Sequence, residues 1–141
     1  MNNAAALPAT ISGNADALLP QKYEAARSAI AECERIDECK TWSDKAAALA
    51  SYARQAKDDS LAVMARRIQA RAERRMGELL KQFPDGRTAA LAQHREVGAR
   101  LTVTRVQAAT SAGISDHQRK QALRVANVPA AAFDSQVDSP T

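Results

Sequence analysis

Apolar positions recur along this chain at helical spacing. Tyr23, Ala26, Ile30 and Cys33 follow one another at steps of three, four and three, so they line one face of a helix that Pro20 is suited to open. Cys39, Trp42, Ala46, Leu49 and Ala53 repeat the pattern as a heptad-like stripe. Asp58, Asp59 and Ser60 are good capping residues. Behind them Leu61, Ala65, Ile68, Ala72, Met76 and Leu79 predict a third helix running to Gln82. Helices with such narrow apolar faces are not stable singly, so the three are expected to pack together. The short link between the second and third predicts an antiparallel hairpin, with Ala46, Ala53, Ala65 and Ala72 allowing close approach.

The flanking segments read differently. Residues 1–19 mix Ala, Pro, Ser, Gly and Asn without a sustained period, which predicts a flexible arm ahead of a helical region over 20–83. Phe83, Pro84, Asp85 and Gly86 carry strong turn chemistry, and 84–100 reads as a linker. Leu101 to Val106 alternates apolar and polar, but an isolated strand has nothing to pair with, so a helix from Thr104 to Ser111 is expected instead. A break at Gly113 and a helix capped by Ser115 and reaching Ala126 complete a helix-turn-helix-like module over 101–128. Pro129 closes the structured region, leaving 129–141 as a mobile tail. The expected class is all-α: a long helical hairpin or three-helix N-terminal part, then that module.

Composition narrows the function. Only 4% of the 141 residues are aromatic while Ala is abundant, which favours helix-on-helix packing with small interface residues over a core of large side chains. The net charge is +4 and the pI about 9.4, compatible with a nucleic-acid or acidic-protein partner. Residues 1–57 are balanced, with seven Lys/Arg against seven Asp/Glu, whereas 84–128 hold seven against three, so the positive excess sits in the middle and C-terminal parts. No stretch approaches the roughly 20 apolar residues of a membrane span, and the N-terminus lacks a secretory signal pattern. A cytoplasmic protein is expected. Cys33 and Cys39, with no second pair, give no zinc framework and read as core thiols. With no Gly-rich phosphate loop, nucleophile elbow or placeable acid–base pair, neither a cofactor nor an active site is expected.

Val106 to Ala126 carries the functional content. Ala109 four residues before Gly113, with Ile114 directly after, suits the tight crossing of a helix-turn-helix, although Arg119 stands where such motifs want a small apolar residue. On the second of these helices His117, Lys120, Gln121 and Arg124 fall at i, i+3, i+4 and i+7, opposite Ala122, Val125 and Ala126. Gln and Arg make bidentate bonds to adenine and guanine edges, and the stripe contains no acid. A solvated polar face would have the same composition. On the third helix Arg67, Arg71 and Arg74 share one flank and suit phosphate contact; the alternative is a solvated flank paired to Glu73, Glu78 or acids of a neighbouring helix. Apolar surface left over from the stripes predicts a homodimer.

The stretch Tyr23 to Leu80, with IDECKTWSDKAAALASYARQAKD and ARRIQARAERRMGELLKQ, resembles the helical region of a group of poorly characterised phage and prophage proteins. AGISDHQRKQALRVANVPAAAFD is similar to the end of the same proteins, matching at Gly113, Ile114, Ser115, Gln118, Pro129 and Phe133, with Ala122 where they usually carry an aromatic. The resemblance implies a mobile-element origin and an all-helical fold. The reading is therefore a phage-type accessory or regulatory protein that binds double-stranded DNA through the C-terminal module. The alternative is a protein-binding module whose basic helix engages an acidic host partner, such as a nucleic-acid enzyme.

Overall fold

In the computed structural model, residues 7–85 and 103–139 are described, with side chains from Leu18 onward. The described residues form six helices and no strand: α1 (Leu7–Ala31), α2 (Ile36–Gln55), α3 (Asp59–Leu80), α4 (Arg105–Ser111), α5 (Asp116–Ala126) and α6 (Ala130–Val137). The all-α class expected from the periodicity is the class observed. None of these helices is long and apolar enough to cross a membrane.

Helices α2 and α3 pack as a hairpin, and both predicted stripes line it or face α1. Cys39, Ala46 and Ala53 of α2 and Ala65, Ile68, Ala72, Met76 and Leu79 of α3 are buried. Asp58 starts α3 by accepting a hydrogen bond from the Leu61 amide at 3.1 Å, which satisfies one of the donors a first turn leaves open.

Two apolar clusters hold the helices together. One joins Tyr23, Ala26 and Ile30 of α1 to Ala46 of α2 and Met64, Ile68 and Ala72 of α3. The other joins Ile36 and Cys39 to Met76, Leu79 and Leu80 and, from the C-terminal part, Ala108, Ala109, Ile114 and Ala122. Trp42 packs against both clusters. The segments 20–83 and 101–128, which read as separate units in sequence, thus share one core.

Two expectations are corrected at the edges. Helix α1 begins at Leu7 and continues through Pro20, so the part of the 1–19 arm within the described residues is helical. Its Ala and Leu content favours helix, and Pro20 withdraws one backbone donor without ending it. The 129–141 tail contains α6, whose Phe133 is buried. Of the 84–100 linker, only Pro84 and Asp85 fall within the described residues. Before and after that segment the chain meets itself: the Arg105 amide donates to the Pro84 carbonyl at 3.1 Å, and Arg105 Nε to the Phe83 carbonyl at 2.9 Å.

Local chemistry sets the α4–α5 turn. Gly113 adopts φ +81°, a left-handed conformation that costs glycine little, and the Ile114 amide donates back to the Ala109 carbonyl at 2.9 Å. Ser115 and Gln118 then form a reciprocal capping box, with the Gln118 amide donating to Ser115 Oγ at 3.1 Å and the Ser115 amide to Gln118 Oε1 at 2.9 Å. Ser115→Ala is expected to lower stability by about 1 kcal/mol, read by urea denaturation; an unchanged midpoint would show that the cap contributes nothing.

Candidate nucleic-acid interface

Helix α5 is seated on α3 by an unusually close contact. A Cβ built on Gly77 would lie 2.1 Å from the Ala122 carbonyl oxygen and 2.6 Å from Ala126 Cβ, so only glycine fits beneath this helix. Ala122 and Ala126 are accordingly buried, and Val125 is half-buried. The small side chain at Ala122 is what lets the two backbones approach so closely.

That seating fixes the opposite face outward. His117, Lys120 and Arg124 are exposed and Gln121 is half-buried, as the period of the helix predicts. Arg124 Nη1 donates to Gln121 Oε1 at 3.2 Å, a bond that aligns the guanidinium beside the amide and leaves the amide's own two donors available. Arg119 is turned back along the helix, its Nη1 donating to Asp116 at 2.8 Å. The face is free of acids in sequence but not entirely so in space. Glu73 of α3 lies within electrostatic reach of His117; burial pushes its carboxyl above the ordinary value, and His117 works in the opposite direction.

The arginine flank of α3 does not face solvent. Arg71, whose side chain is 10% exposed, donates to the Tyr23 hydroxyl, to Asp134 at 3.1 Å and to Asp138 at 3.0 Å. Arg74 Nη1 donates to the Val125 and Val128 carbonyls at 3.0 and 2.8 Å, and its guanidinium lies 4.7 Å from the centre of the Phe133 ring. Arg67 Nη2 donates to the Ser139 carbonyl at 2.6 Å. The expectation of a phosphate-tracking stripe at Arg67, Arg71 and Arg74 is therefore corrected in favour of its alternative: Arg74 pairs with Glu78 at 3.4 Å, Arg71 with acids of α6 and its end, and the other donors serve the Tyr23 hydroxyl and C-terminal carbonyls. Asp138 is held below the ordinary carboxylate range; burial pushes it up, and the Tyr23 hydroxyl and the Arg71 charge more than offset that.

Sequence reasoning missed this network because its acids lie in a segment read as tail. One signal was present: Asp134 and Asp138 stand four apart behind Phe133, the spacing of one helical face. Gly77 was missed too, though an isolated glycine within a helical pattern often marks close packing.

The two thiols are free and buried. Cys39 is pushed up to about 12, chiefly by burial and then by the neighbouring Cys33, so it is a poor nucleophile. Among the described residues no group of three or more His, Cys, Asp or Glu side chains is placed to hold a metal ion. The chain matches no protein-family model, no curated protein and no solved structure.

Proposed function

We propose that the outward face of α5 reads double-stranded DNA, with Gln121 and Arg124 at base edges and His117 and Lys120 flanking them, in a phage-type accessory or regulatory protein. The supporting observation is the contact at Gly77. It locks one side of α5 to α3, so His117, Lys120, Gln121 and Arg124 project together from a rigid element, the condition for specific major-groove contact. With Arg67, Arg71 and Arg74 engaged inside the chain, phosphate contact in this conformation falls to the exposed cations, Lys120 among them. The same engagement weakens the alternative of a protein-binding module, which relied on that basic flank being presented to a partner.

Gln121→Ala and Arg124→Ala are each expected to weaken binding to a preferred duplex by about 1 to 2 kcal/mol, the lower part of the range for bidentate base contacts because the two side chains share a hydrogen bond. Binding to random duplex should barely change. Fluorescence anisotropy on duplexes that include DNA from the gene's own neighbourhood provides the measurement. If the wild-type protein shows no preference among those duplexes, the α5 face is a solvated surface and the proposal fails.

A further inference from the structure

Helix α6 lies over the arginine row of α3 as an anionic counterpart. Asp134 and Asp138 occupy Arg71, the Ser139 carbonyl occupies Arg67, and the Phe133 ring covers both Arg71 and Arg74, at 5.5 and 4.7 Å from their guanidinium carbons. The two carboxylates resemble what a nucleic-acid backbone offers to arginine, anionic oxygens that accept charge-assisted hydrogen bonds.

The cover is pinned by one buried ring and by polar contacts at its rim, among them the Tyr23 hydroxyl donating to Asp138 at 2.6 Å. Phe133 is the one buried residue of α6, and the two carboxylates that pair with Arg71 are 46% and 37% exposed, so water competes for them. The row beneath also has donor capacity to spare. Arg67 Nε is buried without an acceptor among the described residues, and Arg67 and the exposed Arg66 line a groove of about 180 Å³ beside Val137 and Ser139 at the end of α6. A buried guanidinium donor left unbonded is a cost that an incoming anion would remove.

We infer that α6 is an autoinhibitory cover, competing with backbone phosphates for Arg67 and Arg71 and limiting sequence-independent binding until it is displaced. The inference rests on the α5 reading for the identity of the polyanion, which is DNA. Mechanistically, the uncovered row would add phosphate contacts to those of α5, and each added contact steepens the salt dependence of binding.

The test uses the full chain and a short duplex of random sequence, measured at two salt concentrations. D134N/D138N keeps the shape of both side chains while removing their charge, and should bind about five- to tenfold more tightly at low salt, with a logarithmic salt slope steeper by about 0.9 per added contact. Adding R67Q and R71Q together should cancel most of the gain, because both arginines whose donors the C-terminal segment occupies are then gone. E32Q/E34Q, which removes the same charge from exposed positions outside the row, should not reproduce it. Circular dichroism verifies folding, and D138N alone should show a smaller gain in the same direction if the double variant is unstable. No gain in either variant, an equal gain in E32Q/E34Q, or a gain that survives the combined R67Q and R71Q changes overturns the cover. These outcomes are independent of the α5 reading, which fails on the absence of duplex preference and not on the affinity for random DNA.

Discussion

Gly77→Ala is expected to destabilise the protein by about 3 kcal/mol, against the usual sign of that exchange. Inside a helix, replacing glycine with alanine normally stabilises by up to about 1 kcal/mol, because the unfolded chain loses freedom and propensity improves. Here the added methyl group would meet the Ala122 carbonyl oxygen at 2.1 Å and Ala126 Cβ at 2.6 Å, both far inside contact distance. The nearest obstacle is backbone, so no side-chain rotation relieves it. Either α5 backs away from α3, opening the cluster that holds Leu80, Ala109 and Ile114, or the clash is borne directly. Urea denaturation should show a lower midpoint with an unchanged slope. A neutral or stabilising result would mean that α5 is not seated on Gly77, and with it the fixed orientation of His117, Lys120, Gln121 and Arg124 would be lost.

Arg71→Ala is expected to cost about 2 kcal/mol and to release α6. The guanidinium lies 5.7 and 5.5 Å from the ring centres of Tyr23 and Phe133 and joins α1 to α6 through the Tyr23 hydroxyl, Asp134 and Asp138. Breaking a fully buried pair costs more, but both carboxylates here are partly exposed and regain water once the arginine is gone. What is lost is three charge-assisted or polar bonds and two ring contacts held by one side chain. Lysine should recover less than half of the effect, since a point charge cannot serve Tyr23, Asp134 and Asp138 at once. Amide hydrogen exchange over residues 130–137 should accelerate to the rate of a frayed end in Arg71→Ala, with α2 and α3 unaffected. Unchanged protection in α6 would show that Phe133 alone holds the helix.

The features that were readable from sequence have local causes. The stripes of α2 and α3, the Asp58 cap, the Gly113 turn and the start of α5 at Ser115 each depend on residues within a turn or two of one another. Periodicity and capping therefore determined α2 to α5 and which face of α5 is apolar. Tertiary structure decided what each charged face meets. The Arg67, Arg71 and Arg74 flank has the composition of a phosphate-binding stripe, yet its partners are Tyr23 on one side in sequence and Asp134, Asp138 and Ser139 on the other. Arginine is satisfied equally by a phosphate, a carboxylate or a helix-end carbonyl, so its chemistry alone does not distinguish an interface from an internal network. The same holds for Gly77, which locally weakens a helix and is explained only by the backbone of α5 pressing on it. Residues 130–137 are helical for a related reason: a segment too short to hold a helix alone is ordered by burying Phe133 and by an ion pair with an arginine distant in sequence.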